Sequence, residues 1–429
     1  MPKIFYEGKE SRNPFSFKFY EPNRKIMGKA MREHLKFAMP VWNTLNYQGV
    51  DMFGERTMDT SFGNKNERFN DQKLYAMFEF MDKLSIDYFC FHDYDIINST
   101  DDYAENCSRL DEATDVVQSL MNKYDKKLLW STVDLFHNHM YANGAATSPQ
   151  CEVFIRAAAQ IKKAIDICKR LDGKNFVLWG GREGYDTLLN TDMEKELNNY
   201  ANFLKMCVEY SDKIGYTGGF LIEPKAKEPL KHQYDFDVNA IMAFLYKHDL
   251  TSRFKINLEV NHAILAKHDF VHELRLAIVN DMFGSIDAND GDSMLGWDID
   301  KLPSDVYNAT LIMYEIIKAG GFKSGGLNFD AKLRRCSNTF EDLFYGYITA
   351  MDTYALGLIN AEKIIADGRI DEMLEDRYKS YDSEIGQRIL SQTITLDELV
   401  NEVEKLDKIP VSSGRQEYLE GIINSIIYK

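Results

Sequence analysis

A set of carboxylates and one histidine stands at the ends of short apolar segments in the second half of the chain. The set comprises Glu223, Glu259, His262, Asp287, Asp298, Asp300 and Asp330. Like charges at close range repel and take up protons, so these acids cannot be buried together unless something positive compensates them. A site made of oxygen ligands and one imidazole favours Mg²⁺, Mn²⁺ or Co²⁺ over an ion that prefers thiolate ligands. The residue types and spacing therefore predict a two-metal enzyme.

Two other positions could supply acid–base or electrostatic chemistry. His92 and Asp95 are three residues apart, which would suit an imidazole that a carboxylate orients for proton transfer near neutral pH. The alternative is a core histidine whose hydrogen bond a carboxylate satisfies. Lys225 lies two residues after Glu223 and would share its face of a strand. It is either half of a salt bridge or a cation that contacts a substrate oxygen.

Aromatic and hydroxyl residues accompany these groups. Two glycines follow Trp179, which indicates a close approach of a small ligand to an aromatic wall. Thr132, Asp134 and Phe136 alternate along one face of a predicted strand. A hydroxyl beside an aromatic ring suits a sugar, which has polar edges and apolar ring faces.

The local structure around the predicted ligands has alternatives. Glu259 and His262 are three residues apart, as in a helical metal pair, but residues 254–258 alternate with period two and favour a strand end. Asp298 and Asp300 alternate with apolar neighbours, so both can point the same way. Their alternative is a solvated acidic loop.

Eight strand candidates alternate with longer amphipathic segments. The strands are predicted at residues 35–43, 86–93, 127–136, 175–182, 219–225, 254–261, 282–287 and 326–330. Helices are predicted at 71–84, 151–171, 193–214, 235–249, 268–281 and 304–319, with Asp71, Asp192 and Ser304 as N-caps of three of them.

This alternation predicts an α/β fold, a (β/α)₈ TIM barrel with a C-terminal helical extension. An open doubly wound sheet is the alternative, but no GxGxxG follows the first strand. Side chains from the C-terminal strand ends of a barrel converge, so the candidate residues would meet there. Residues 1–340 would form the barrel with an N-terminal extension, and residues 341–429 a helical tail for subunit contacts.

Composition limits the partners and the compartment. The chain has 51 basic and 67 acidic residues, a formal net charge of −16, so nucleic acid and anionic membrane are not expected partners. The six cysteines show no CxxC spacing and are expected to be reduced thiols. No segment resembles a signal peptide or a membrane span, and we expect a cytoplasmic protein.

Seven motifs together resemble the xylose isomerase family, in its class II branch, over essentially the whole chain. They are Phe91–Asp93, Trp179–Tyr185, Leu221–Lys225, Asn261–His262, Asp287–Asn289, Gly296–Asp298 and Asn328–Lys332. The resemblance implies an intramolecular oxidoreductase that converts D-xylose to D-xylulose, and D-glucose to D-fructose more poorly. The reaction would proceed by ring opening and a metal-assisted 1,2-hydride shift.

The resemblance also implies roles for residues. Two divalent cations would bind each subunit, the first held by Glu223, Glu259, Asp287 and Asp330, the second by Glu259, His262, Asp298 and Asp300. His92, oriented by Asp95, would assist ring opening, and Lys225 would hold the carbonyl oxygen. Trp179, Phe136 and Thr132 would line the substrate pocket. Phe53 would enter the site from an adjacent subunit of a homotetramer.

Three positions depart from the family pattern. Asn43 stands where a histidine is expected, Asp134 where asparagine is usual, and Met140 where an arginine is usual. These departures leave open an isomerase or epimerase for another aldose on the same barrel. An inactive sugar-binding homologue is the alternative outside enzymes. It is disfavoured because uncompensated buried carboxylates are costly and every predicted ligand is present.

Overall fold

Eight parallel strands close into a barrel in the computed structural model, which describes residues 2–63 and 66–428. They are β1 (Phe37–Pro40), β2 (Tyr88–His92), β3 (Lys127–Thr132), β4 (Asn175–Trp179), β5 (Gly219–Glu223), β6 (Phe254–Glu259), β7 (Phe283–Asp287) and β8 (Leu327–Asn328). Each strand pairs with the next along the chain, and β8 pairs with β1. The predicted (β/α)₈ barrel is confirmed.

Helices fill the connections and form the C-terminal region. They are α1 (Met31–Leu35), α2 (Asp71–Leu84), α3 (Tyr103–Tyr124), α4 (Cys151–Arg170), α5 (Met193–Ile214), α6 (Val238–Lys247), α7 (Val260–Leu265), α8 (Phe270–Val279), α9 (Val306–Lys318), α10 (Phe340–Asp367), α11 (Arg369–Tyr378), α12 (Glu384–Leu390), α13 (Leu396–Val403) and α14 (Gln416–Ile427). Within the described residues, no helix has the length and apolarity needed to cross a bilayer.

Helix starts correct two of the predicted N-caps. Asp192 caps α5 as predicted. Asn70 rather than Asp71 caps α2, and Asp305 rather than Ser304 caps α9. In both cases two adjacent residues have capping side chains, and the cap is the one whose oxygen accepts the backbone N–H three residues on. Asp71 instead lies in the first turn, where its charge favours the helix dipole.

An apolar layer inside the barrel supports the site. Cys90, Trp130, Val177 and Leu221 are buried and belong to one cluster. Side chains on one face of a strand recur every second residue. The next inward positions on β2, β3, β4 and β5 are therefore the strand-end residues His92, Thr132, Trp179 and Glu223. Apolar side chains therefore fill the barrel interior, and the next inward side chains on the same strands line the pocket.

Candidate active site

A cavity of about 350 Å³ opens at the C-terminal ends of the strands. The predicted site residues that line it are His92, Asp95, Thr132, Phe136, Trp179, Glu223, Lys225, Glu259, His262, Asp298, Asp300 and Asp330. Asp287 is completely buried and does not reach the cavity surface. Phe53 is 90% exposed and lies outside the cavity of its own chain.

Three groups of side chains have ligand atoms within 4.8 Å of one another. The groups are Glu223–Glu259–His262, Glu259–Asp298–Asp300 and Glu259–Asp287–Asp330. All seven predicted ligands therefore fall into groups that share Glu259. Buried carboxylate oxygens with one imidazole are the donors that Mg²⁺, Mn²⁺ or Co²⁺ accept. These residues could hold metal.

Glu259 and His262 combine the two local structures that their spacing allowed. Glu259 is the last residue of β6, as the period-two pattern predicted, and α7 begins at the next residue. His262 Nδ1 lies 3.0 Å from the carbonyl oxygen of Pro224. A carbonyl can only accept, so Nδ1 carries the proton and Nε2 presents a lone pair. That nitrogen lies 3.2 Å from Glu259 Oε1 and 3.1 Å from Asp298 Oδ2.

Asp298 and Asp300 belong to the irregular segment after β7. Both line the cavity and have ligand atoms close to Glu259, so the two carboxylates do point the same way. The solvated-loop alternative is wrong, because Asp300 is only 8% exposed. Asp300 adopts φ 41°, a left-handed conformation that aspartate tolerates better than most residues. Its Oδ2 accepts a hydrogen bond from Lys332 Nζ at 2.8 Å.

Electrostatics divide the carboxylates into two kinds. Burial, and then repulsion from neighbouring carboxylates, raises the pKa of Glu259, Asp287 and Asp330 well above the usual range. Burial opposes ionisation of Asp298 too, but the positive charge of Lys225 Nζ at 2.7 Å holds its pKa well below that range. The first three acids are stable as anions only beside a compensating positive charge.

Five asparagines surround the carboxylates. Asn257 Nδ2 donates to both Glu223 and Asp287 at 2.8 Å, and Asn289 Nδ2 donates to Glu259 at 2.7 Å. We call the set the amide shell; its members are Asn43, Asn257, Asn261, Asn289 and Asn328. The sequence reasoning missed this role. A signal existed, because Asn257 and Asn289 lie two residues from Glu259 and Asp287.

His92 is an oriented imidazole. Its Nδ1 lies 3.1 Å from Asp95 Oδ2, and its backbone N–H donates to the same oxygen at 2.7 Å. Burial alone would lower the pKa of His92, but the hydrogen bond and charge of Asp95, with the charge of Asp134, raise it to about 9. The rings of Trp42 and Phe136 pack edge-on against the imidazole, with centroids at 4.6 and 5.5 Å.

Lys225 is buried between carboxylates and an aromatic ring. Its Nζ lies 2.7 Å from Asp298 Oδ2, 3.3 Å from Glu228 Oε2 and 5.0 Å from the centroid of Trp179. Trp179 packs edge-on against Phe136, with centroids 4.6 Å apart. Lys225 therefore forms a salt bridge with Asp298, which was one of the two predicted alternatives. Its ammonium group also faces the cavity.

The positions that depart from the family pattern differ in their contacts. Asp134 lines the cavity as expected, although β3 ends at Thr132 and Asp134 lies in the loop that follows it. Its Oδ2 lies 2.9 Å from His137 Nδ1, and its Oδ1 accepts the backbone N–H of His137 at 3.0 Å. Burial opposes ionisation, but His137 lowers the pKa of Asp134. Met140 does not line the cavity and packs against the core. His137 was not among the predicted site residues.

Sequence comparisons relate this chain to named enzymes over its full length. Xylose isomerase of Thermotoga sp. (strain RQ2) is 50% identical over 435 aligned residues, covering 100% of this chain and 97% of the relative. Xylose isomerase of Thermoanaerobacterium thermosaccharolyticum is 49% identical over 428 residues, covering 99% and 98%. A family model described as XylA2 C-terminal domain matches residues 374–427.

Solved structures share the architecture at low sequence identity. A D-tagatose 3-epimerase-like protein is 12% identical and covers 78% of this chain and 99% of its own, with a TM-score of 0.52. D-psicose 3-epimerase of Clostridium cellulolyticum H10 is also 12% identical, covers 76% and 99%, and has a TM-score of 0.52. At this identity the likeness establishes the barrel fold.

Proposed function

Because this chain belongs to the xylose isomerase family and is an intramolecular oxidoreductase of that family, we propose that its cavity converts D-xylose to D-xylulose. The observation that carries the proposal is the convergence of three potential ligand groups on Glu259. All members of these groups except the fully buried Asp287 line the same cavity as the oriented His92 and the buried Lys225. An aldose–ketose isomerase needs this combination, because it must open a sugar ring and stabilise charge on two adjacent oxygens.

The proposal includes two divalent cations per subunit, Mg²⁺, Mn²⁺ or Co²⁺. By the family resemblance, the first would be held by Glu223, Glu259, Asp287 and Asp330, and the second by Glu259, His262, Asp298 and Asp300. The first set contains the group Glu259–Asp287–Asp330 and the second the group Glu259–Asp298–Asp300. The pKa values raised by burial and mutual repulsion support the fit, because two dications would stabilise these groups as anions. When bound, such cations act as Lewis acids that polarise both reacting oxygens.

His92 would transfer the proton that accompanies ring opening. Asp95 fixes one ring nitrogen at 3.1 Å and leaves the other to the cavity. The Lys225 ammonium would donate to the carbonyl oxygen of the open chain. Trp179 and Phe136 would cover the apolar face of the sugar, and Thr132 would offer a hydroxyl to its polar edge.

The proposal extends to a homotetramer assembled through residues 341–429, with residues 1–340 as the barrel and its N-terminal extension. Helices α11 and α13 bury no residue in the single chain. Their exposed apolar side chains include Leu374 at 53%, Leu396 at 82% and Val400 at 65%. An apolar surface of this kind is typical of a subunit contact. Phe53, 90% exposed, would reach the cavity of a neighbour.

D-glucose would be a poorer substrate, since its additional hydroxymethyl group must fit the same cavity of about 350 Å³. We place the enzyme in the cytoplasm, where the six free cysteines would stay reduced.

The test is D-xylulose formation by protein stripped with a chelator, with and without Mg²⁺, Mn²⁺ or Co²⁺. We expect no turnover without a cation and restored turnover with one. D-glucose and other aldoses are assayed in parallel. Metal-loaded protein that leaves D-xylose unchanged but isomerises or epimerises another sugar would refute the substrate assignment while retaining the cation requirement.

A further inference from the structure

Asn43 makes contacts that set it apart within the amide shell. Residues Trp42–Asn46 form a π-helical turn directly after β1. Asn43 Nδ2 donates to Asp330 Oδ1 at 2.6 Å and lies 3.4 Å from Asp300 Oδ2. Trp42 Nε1 donates to the same oxygen of Asp330 at 2.8 Å. Asn43 also lines the cavity, whereas Asn257, Asn261, Asn289 and Asn328 do not.

The carboxylates that Asn43 contacts belong to different proposed cation sites. Asp330 groups with Asp287, and Asp300 groups with Asp298; Glu259 is common to both groups. Asn257, by contrast, contacts two carboxylates assigned to the first site. Asn289 donates to the shared Glu259 and lies 3.5 Å from Asp300 Oδ1, but it contacts Asp330 only at its main-chain oxygen. A displacement of the Asp330 carboxylate would therefore be transmitted to Asp300 through the amide of Asn43.

The chemistry of the amide suits this position. A side-chain NH₂ carries two protons and can donate to two acceptors at once without adding charge. The carboxylate oxygen that receives it is held in place, which leaves the other oxygen for a cation. Residues that orient metal ligands in this way typically affect metal affinity by 10–100-fold when they are replaced.

We propose that Asn43 is a positioning residue that couples the two cation sites, because one amide group contacts a ligand of each. The proposal rests on the proposed function, since it assumes two cations at the assigned ligands. Asn43 touches no reacting atom in this account. It acts through Asp330 and Asp300, so its replacement should weaken both sites and reduce the dependence of one on occupancy of the other.

The test is calorimetric titration of chelator-stripped, full-length protein with Mn²⁺. We expect Asn43→Ala to weaken binding at both sites by about 10–100-fold. The matched control is Asn46→Ala on the same turn, since Asn46 Nδ2 donates to Asp95 Oδ1 and contacts none of the proposed ligands. That control should bind Mn²⁺ at both sites as the unmodified chain does.

Other outcomes would overturn the coupling. Unchanged affinities in Asn43→Ala, or a loss confined to one site, would show that Asn43 does not link the two. Asn43→Leu, which is similar in size to asparagine but has no donor, should also weaken both sites and provides a second variant if alanine prevents folding. An unmodified chain that binds no Mn²⁺ would refute the proposed function itself and this inference with it.

Discussion

His262 is the one nitrogen ligand in the proposed cation sites, and its tautomer is fixed by the carbonyl of Pro224. We expect His262→Ala to weaken the second cation and to lower kcat by about 100-fold or more, because a bound metal supplies several kcal/mol of transition-state stabilisation. Turnover against Mg²⁺ concentration measures both effects. Unchanged turnover at saturating Mg²⁺ would show that the ligand assignment is wrong.

Asp134 and His137 should control the pH dependence of the reaction through His92. The negative charge of Asp134 helps to raise the pKa of His92 to about 9. We therefore expect Asp134→Asn to lower the pKa of His92. In the pH profile of kcat/KM, the limb that reports ionisation of His92 should move to lower pH.

The companion variant His137→Ser separates this charge effect from a packing effect. A protonated His137 opposes the charge of Asp134, so its removal should move the same limb to higher pH. Identical profiles for Asp134→Asn and the unmodified enzyme, measured at saturating metal, would contradict the prediction.

At the scale of elements, α9 and α10 approach closely at a glycine. A Cβ atom on Gly357 of α10 would lie 2.8 Å from the backbone carbonyl of Ala309 on α9. Replacing glycine by alanine in a helix gains about 1 kcal/mol of propensity, whereas overpacking costs about 1–3 kcal/mol. We expect Gly357→Ala to be destabilising by up to about 2 kcal/mol in thermal unfolding.

Gly421 of α14 provides the matched control for Gly357. Apart from its chain neighbours and the backbone of its own helix, no described heavy atom lies within 4 Å of the position where its Cβ would be. Gly421→Ala should therefore show only the propensity gain, a stabilisation of at most about 1 kcal/mol. Equal effects of the two substitutions would show that the helix contact is looser than the structure indicates.

For the whole molecule, removal of cations should make stability depend on pH in a definite direction. Without cations, burial raises the pKa of Glu259, Asp287 and Asp330, and burial with the Asp298 charge raises that of Asp300 to about 6. The folded chain then binds more protons than the unfolded chain. The contribution of these groups to the free energy of unfolding is therefore greatest below about pH 4. It falls as the pH rises through the pKa values that they have in the folded chain.

Thermal unfolding of stripped protein from pH 5 to pH 8 tests this relation. Each unit by which a pKa is raised removes about 1.4 kcal/mol over the transition. Asp298, whose pKa is lowered, is ionised in both the folded and the unfolded chain throughout this range and does not change the trend. Saturating Mg²⁺ should reduce the decline, since cation binding favours the ionised ligands. Part of it should remain, because burial also raises the pKa of Asp93 to about 7 and that of Asp235 to about 8. A stripped protein that becomes more stable toward pH 8 would contradict the assigned electrostatics.

The oligomeric state is also a property of the whole molecule. We expect light scattering to report a tetramer, because the family resemblance implies four subunits and α11 and α13 leave apolar side chains exposed in the single chain. Leu396→Asp, at a side chain that is 82% exposed, should lower the molar mass without unfolding the barrel. A stable, active monomer of the unmodified protein would contradict both the assembly and the role of Phe53 in a neighbouring site.

Local sequence patterns were sufficient to predict the barrel and most of the residues that line the cavity. Strand alternation is a local property, so inward positions such as His92, Thr132 and Glu223 could be read from a period of two. The same periodicity placed Glu259 at a strand end. Carboxylates gathered at strand ends predicted cations, because their mutual repulsion follows from charge alone.

Tertiary structure decided what depends on contacts between distant segments. The burial of Asp300 in an irregular segment comes from its neighbours in space, including Lys332, 32 residues away. The tautomer of His262 depends on Pro224, and the bridge made by Asn43 spans more than 250 residues of sequence. Hydrogen-bond geometry of this kind follows from how the strands close into a barrel, and no local pattern encodes it.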